Sequence, residues 1–472
     1  MLEENYSENK EMFEHWLRQY EDIRTGKSGA FLEEDAFLEI IEYFDDMEQA
    51  GRAAEATRIG LEYYPFSSEL LVKKADYLIL EKQYKEALDI LEQAAMYDNQ
   101  DINISILKTD AYLGLGKDDE AAQELENAVQ KYEHEDCIDL LFELADVYDD
   151  YEVFEKVFEC LKKVLDIDPN NELALYRICF WADFTMHNEE SIAIHQKIID
   201  EYPYNELAWF NLGAAYQGLK LYEKSIDAYQ YALVIDEKLD YAYRNMGDAY
   251  IRLRKYKEAI EALKKSLELG RPESIIYEAI GYCYHRMNNL QSARYYYRKA
   301  VHLNPSESKL YYKIALSFID EAQWSQALKY IDSAKTYNRN VYEYDLIRGE
   351  CLMHMDNYEE AIQAFGVVVN HRPKNAMGWA YLIRCLYYAE DYESAAEQSL
   401  NAYESTGNKP LFLFYYAFTL YALGDIEDAL IYLESALHQA PRLFKKVLEL
   451  NPAILQNSRI VDLLAQFRRA KK

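Results

Sequence analysis

A period of 34 residues runs through most of this 472-residue chain, and no other feature narrows its fold so far. With Glu206 as position 1, forward strides of 34 reach 240, 274, 308, 342, 376 and 410 without an insertion. Backward strides reach 172 and 138; one stride of 36 then lands on 102, and strides of 34 resume to 68 and 34. Twelve copies therefore run from Glu34 to about Arg442, with the two extra residues inside 131–137. A unit of this length cannot bury an apolar face alone and has to stack on its neighbours. That displaces the three separate domains of ~150 residues that length by itself would suggest.

Within the unit, the small residues fall at fixed places. Position 20 is Ala at 53, 87, 121, 259, 293, 327, 361, 395 and 429; position 8 is Gly at 213, 247, 281 and 349 and Ala at 75, 145, 315 and 417. Two helices can cross closely at such sites. Position 11 is aromatic at Phe44, Tyr112, Tyr148, Tyr216, Tyr250, Tyr284 and Phe318, and position 27 is Ala at seven sites from Ala94 to Ala436. Six of the nine prolines (65, 169, 203, 305, 373 and 441) fall at position 32, where Pro can follow one helix and open the next. Apolar residues between these marks recur at i, i+3, i+4 and i+7, as in Leu212, Tyr216 and then Tyr222, Ile226, Tyr229 and Leu233, which predicts two amphipathic helices per repeat.

Trp209, Leu212, Gly213, Tyr216, Tyr222, Tyr229 and Ala232 together resemble the signature of the tetratricopeptide repeat family, and the resemblance extends over residues 34–442. It implies an all-α solenoid, a right-handed superhelix of about twelve helix-turn-helix repeats with a capping helix at each end. Departures are local: Asp345 and Arg348 stand at apolar positions 4 and 7 of the tenth repeat, and Val157 and Ser191 at position 20. The pentatricopeptide array has nearly the same period but reads RNA and should be basic along its groove. With 83 acidic against 51 basic residues, a net charge of −32, that reading is excluded, and attraction to nucleic acid or anionic lipid with it. The 45 tyrosines find a first explanation in packing, since many occupy positions 11, 17 and 24.

Residues 1–8 lack the basic and apolar regions of a signal peptide, and no apolar run approaches the ~18 residues of a membrane helix. Six cysteines without paired spacing suit a reducing compartment. A cytoplasmic protein is expected.

Four segments follow from the period and the charge. Residues 1–33 form an N-terminal capping helix or arm (Met12, Phe13, Trp16, Leu17), and 34–137 hold the acidic repeats one to three. Repeats four to twelve occupy 138–443, and 444–472 form a C-terminal capping helix. The last has an apolar stripe (Ile460, Val461, Leu464, Phe467) backed by Asp462, Gln466 and Arg469, with Arg468, Arg469, Lys471 and Lys472 placed favourably for the helix dipole.

Catalytic and metal motifs are missing. Gly114–Asp118 lacks the spacing and hydroxyl of a phosphate loop, with Gly116 at position 15 between the two helices. Cys283 with His285 and Cys351 with His354 supply two ligands each where a structural zinc wants four. Buried packing explains the cysteines at position 10 (283, 351 and 385). The expectation is a non-enzyme with no cofactor, no metal and no catalytic residue.

The family resemblance implies that positions 2, 5, 9 and 12 of each first helix line a concave groove that receives a peptide or partner helix. Repeats one to four place Asp35, Glu42, Glu69, Asp76, Asp110 and Asp146 there, interleaved with Val72, Ile79, Ile106 and Phe142. Repeats five and six bring Tyr176, Phe180 and Phe210; repeats seven to nine Arg244, Asp248 and Lys309; repeats eleven and twelve Arg384, Tyr387, Phe414, Phe418 and Tyr421. Residues 1–170 carry 44 acidic and 16 basic side chains, which leaves the remainder almost neutral. The reading is a protein-interaction scaffold or adaptor gripping a peptide-like segment, basic where it meets the N-terminal half. The alternative is an acidic regulator or chaperone that masks a basic protein. A third is a co-chaperone with a degenerate carboxylate clamp, for which Arg244, Asp248, Ala279, Lys309 and Lys313 occupy the clamp positions; both asparagines are missing. Oligomeric state is not encoded in these features.

Overall fold

The structure is a computed structural model that describes residues 2–27, 31–132 and 136–469. Among these residues there are helices and no strands, and the chain divides into two compact units, Met1–Glu237 and Lys238–Lys472. In the first unit, α1 (Leu2–Arg24) precedes six helix pairs: α2 (Glu34–Asp46) and α3 (Ala50–Tyr63), then α4 (Ser68–Leu80) and α5 (Tyr84–Tyr97). These are followed by α6 (Ile102–Gly114) and α7 (Asp118–Lys131), and by α8 (Asp136–Asp150) and α9 (Phe154–Ile167). The last two pairs are α10 (Glu172–Phe184) with α11 (Asn188–Glu201), and α12 (Glu206–Gly218) with α13 (Tyr222–Ile235).

The second unit repeats the theme from α14 (Asp240–Arg252), α15 (Tyr256–Leu269), α16 (Ser274–Arg286) and α17 (Leu290–Leu303). It continues with α18 (Ser308–Ile319), α19 (Trp324–Tyr337), α20 (Tyr342–His354) and α21 (Tyr358–His371). The final pairs are α22 (Ala376–Tyr388) with α23 (Tyr392–Ser405) and α24 (Pro410–Leu423) with α25 (Ile426–Gln439). Each unit is thus a helical-repeat solenoid. First (A) helices start at position 1 and second (B) helices at position 17; α8 alone starts two residues early, beside residues 133–135 of the longer stride, which lie outside the described residues.

Caps explain several starts. Ser67, Asn171, Asn205 and Asn375 each accept a hydrogen bond from the backbone N–H three residues on, at 3.2, 3.0, 2.7 and 3.0 Å, satisfying a donor the helix cannot. The turn from A to B is less comfortable. Position 15 has a left-handed φ in every repeat, and only Gly116 and Gly424 are glycines; the other ten are Glu48, Lys82, Glu152, Met186, Lys220, Arg254, Asn288, Ala322, Asp356 and Glu390. The scarcity of glycine therefore does not mean that the turns need none.

All nine position-20 alanines are buried. The glycines of position 8 face position 24: a Cβ added to Gly213, Gly281 or Gly349 would lie 2.6–2.7 Å from the ring of Tyr229, Tyr297 or Phe365. At the irregular tenth repeat, buried Asp345 pairs with Lys335, and Arg348 bridges Asp332 at 3.0 Å and Glu360 at 2.8 Å, so charge pairing replaces the missing apolar contact. Val157 and Ser191 fill position 20 fully buried.

The ends differ. At the N-terminus, Phe13, Trp16, Leu17 and Tyr20 of α1 pack on the first repeat, with Phe13 against Tyr43 at 5.1 Å and Arg52 on Glu21 at 2.6 Å. At the C-terminus, Phe444 stands where a thirteenth A helix would begin, but α26 (Phe444–Val447) lasts one turn. A 3-10 turn (Pro452–Gln456) follows, then α27 (Ser458–Arg469), which packs through Phe467 on His438 of α25 at 4.5 Å. The side chains of Arg468 and Arg469, and Lys471 and Lys472 altogether, lie outside the described residues.

Candidate protein-binding surface

Inside each unit, A helices of successive repeats touch, as α4 does α6, α6 does α8 and α10 does α12, and likewise α14 with α16 and α22 with α24. No pair of successive B helices is comparably close among the described residues, so the A helices line the tighter, inner face of each unit.

In the first unit that face carries a row of carboxylates. Asp35, Glu42 and Glu69 are exposed near its start. Asp76 is partly buried; loss of hydration raises its pKa above the usual carboxylate value, with Asp45 adding repulsion and Lys73 opposing it. Asp110 is exposed, yet partial loss of hydration raises its pKa, with Asp76 adding repulsion. Glu143 is raised by burial, then by Asp110, Asp146 and Asp139. These three make no ion pair among the described residues. By contrast, Asp45 is held by Lys73 at 3.2 Å and by the Tyr77 hydroxyl at 2.8 Å, and Asp146 is paired with Arg177 of the next repeat. Asp146 is thus already neutralised and Glu143, one helical turn earlier, takes its place. The spacing i, i+3 on α8 was the signal that could have found it.

Beyond the carboxylates, the same face turns aromatic. Leu173, Tyr176, Phe180 and Phe184 form an exposed stripe on α10, Tyr176 at 74% and Phe180 at 61% exposure. Phe180 is braced edge-on by Trp181 at 4.9 Å and stacks on Phe184 at 5.8 Å. Phe210 of α12 is half-buried, tilted over Tyr229 at 5.5 Å.

Three segments match models described as tetratricopeptide repeat: residues 78–149, 207–238 and 239–304. The chain is a tetratricopeptide repeat protein. Residues 286–368 also match the model for anaphase-promoting complex, cyclosome, subunit 3. Among curated proteins, the tetratricopeptide repeat protein 30 homolog of Drosophila melanogaster is 32% identical over 115 residues, 24% of this chain; the match spans 16% of that relative's length. Among solved structures, the C-terminal part of a TPR repeat-containing protein from Cytophaga hutchinsonii is similar at TM-score 0.45 and 16% identity, covering 54% of this chain and 99% of that one. The APC/C hetero-tetramer Cut9-Hcn1 is similar at TM-score 0.36 and 12% identity, covering 88% of this chain and 95% of that one. Likeness at this level carries nothing about partners.

In the second unit of this tetratricopeptide repeat protein, several expected groove residues are occupied. Arg244 meets Glu273 at 3.4 Å and Lys313 is paired with Glu278, so two cations of the clamp reading are already neutralised; Lys309 remains exposed. Arg384 sits half-buried over the Tyr381 ring at 6.0 Å. Tyr387, Phe414 and Phe418 are not an open aromatic groove: they are 6%, 0% and 0% exposed. Phe444 packs on Phe414 and Phe418 at 6.2 and 6.0 Å, and Val447, Leu450 and Ile454 join the same buried cluster. Asn451 Nδ2 donates to the Tyr387 hydroxyl at 2.7 Å across 64 residues, two repeats back. The tail has folded over the inner face because these rings were too apolar to leave in water. Only Tyr421 stays partly open.

The would-be metal ligands are engaged elsewhere. Cys283, Cys351 and Cys385 are buried, with thiols pushed up to about 12 by loss of hydration. His285 Nε2 lies 2.6 Å from Asp320, and His354 stacks on Trp324 at 4.0 Å. Among the described residues no helix is long and apolar enough to cross a membrane.

Proposed function

We propose that the chain is a non-catalytic scaffold or adaptor whose first unit holds a basic, apolar-flanked segment of a protein partner. One observation carries this reading: Asp76, Asp110 and Glu143 form a row without ion pairs among the described residues, Asp76 partly buried and the other two exposed, that leads into the exposed stripe Leu173, Tyr176, Phe180 and Phe184. Carboxylates whose charge is held at a cost favour a cation that restores their solvation, and a braced aromatic stripe gives an apolar side chain a rigid platform. Selectivity for protein over nucleic acid or membrane follows from the net charge of −32. A cytoplasmic setting, supported by the unpaired spacing of the six cysteines, belongs to the same proposal.

The test separates the two halves of the face. Basic peptides are titrated against wild type, Asp76→Lys/Asp110→Lys and Tyr176→Ala/Phe180→Ala. Loss of binding in both variants supports the scaffold reading. Loss in the first alone favours the masking regulator, which needs charge without the aromatic platform. Unchanged affinity in both would sink the proposal.

A further inference from the structure

On the outer face of the first unit, α11 and α13 stand apart over the back of α12, because successive A helices lie closer together than successive B helices. The crevice between them has a volume of about 410 Å³. It is lined from positions 25, 28 and 29 of repeat five and positions 4, 7, 11, 19, 22, 23 and 26 of repeat six, and among the described residues none of the inner-face positions 2, 5, 9 and 12 takes part. Its rings are held in place: Trp209 stacks on Tyr231 at 4.6 Å and donates its indole N–H to the Pro203 carbonyl at 2.9 Å, and the Tyr216 hydroxyl accepts from Gln196 Nε2 at 3.0 Å. Asp200 of α11 and Asp227 of α13 line it from the two flanking helices, exposed and without an ion pair among the described residues. Lys224 lies over the Tyr216 ring at 5.5 Å.

The equivalent place in the second unit, between α15 and α17, is filled by the chain's own cations. There position 25 is Lys264, 5.9 and 6.0 Å over Tyr284 and Tyr296 of positions 11 and 23, and position 26 is Lys299, 5.3 Å over Tyr277 of position 4. The carboxylate of position 29, Glu268, pairs with Lys265 at 2.8 Å. In the first unit the rings recur as Tyr216 and Trp209 and the carboxylate as Asp200, with Asp227 added. The two lysines, however, are replaced by Gln196 and Tyr231, and the Tyr296 ring by Ala228. Acids and aromatic faces remain, the internal cations are gone, and the small side chain at position 23 leaves room.

We infer that this crevice is a binding site for an arginine side chain carried by a protein partner. A guanidinium is planar, so it lies on a ring face as Lys264 and Lys299 do in the second unit, and its fork of donors can meet carboxylates on two flanking helices at once. An ammonium offers a point charge and no plane. Two carboxylates against the one ammonium of Lys224 keep the crevice negative, and the net charge of −32 draws a cation towards it. The site lies away from the carboxylate row of the inner face and does not rest on that reading.

The test uses the full chain and the peptide acetyl-Gly-Ser-Arg-Ser-Gly-amide, followed by NMR at the indole N–H of Trp209, which Trp209→Phe identifies. Wild type should show a saturable shift, and the peptide with Lys in place of Arg should bind at least about tenfold more weakly. Asp200→Asn/Asp227→Asn should weaken binding by about tenfold. Gln196→Lys/Tyr231→Lys, which installs the lysines of the second unit, should abolish it. The side chains altered at the crevice are exposed, so unchanged circular dichroism is expected. Asp76→Lys/Asp110→Lys, on the inner face, should bind as wild type does. The inference is overturned by the absence of a saturable shift, by an equal response to the lysine peptide, by binding that survives both crevice variants, or by binding lost in the inner-face variant.

Discussion

At the scale of single residues, positions 8 and 24 behave as one volume shared by two side chains. Gly213, Gly281 and Gly349 face Tyr229, Tyr297 and Phe365; Ala75, Ala145, Ala315 and Ala417 face Leu91, Leu161, Ile331 and Leu433; Ile41 and Ile383 stand opposite Thr57 and Ser399. Every position-24 side chain is buried, so neither partner can swing into solvent. Gly281→Ala should therefore destabilise by about 1–3 kcal/mol through overpacking. Adding Tyr297→Leu should recover much of that, a coupling readable in a urea double-mutant cycle. The same pair explains His195, which is position 24 opposite Cys179. Its ring is buried, its Nδ1 donates to the Ser191 carbonyl at 2.7 Å, and burial lowers its pKa from 6.5 to about 4. Between those values the unfolded imidazole binds a proton that the folded one refuses. Stability is thus complete above 6.5 and falls with pH towards 4, by up to about 1.4 kcal/mol per pH unit. Hydrogen-exchange protection factors in α11 and α12 should fall over this window in wild type and not in His195→Gln.

At the scale of the element, the A-to-B turn stores strain in ten of twelve repeats. A non-glycine residue held left-handed costs on the order of 1 kcal/mol, and Ala322, with φ 55°, has no side-chain function to offset it. Ala322→Gly should stabilise the second unit by about 1 kcal/mol, measured as a rise in denaturation midpoint. The C-terminal tail shows the reverse case. Its one-turn α26 and 3-10 turn are poor helices, kept in place by Val447, Leu450 and Ile454 dipping among the rings of α22 and α24.

At the scale of the molecule, charge is the organising quantity. The raised pKa values of Asp76, Asp110 and Glu143 mean that the folded chain takes up these protons more readily than the unfolded one. Acidification through those values accordingly relieves the folded state of their cost, while it removes the charge that would hold a cation. Affinity for a basic peptide should therefore fall as pH drops from neutral towards the carboxylate range, and fall again with added salt; calorimetric titration across both variables checks it. An affinity flat in pH and salt would place the peptide elsewhere.

Much of this was legible in the sequence, because whatever each repeat needs locally is written into every repeat: the period, the two helices, the small residues at 8 and 20, and the concentration of acid in the first third. The sign of φ at position 15 was hidden in most repeats, where Glu, Lys, Arg, Met or Ala occupies it, and hinted at only by Gly116, Asn288, Asp356 and Gly424. Tertiary structure alone decided which charges are free. Asp146 is neutralised by a side chain 31 residues away, Glu143 joins the row by proximity, and Tyr387, Phe414 and Phe418 vanish beneath a tail whose polar contact spans 64 residues. The physical reason is common to all three: pairing and burial depend on which repeat or terminus comes to rest on a face, and a period shared by every repeat carries no record of that.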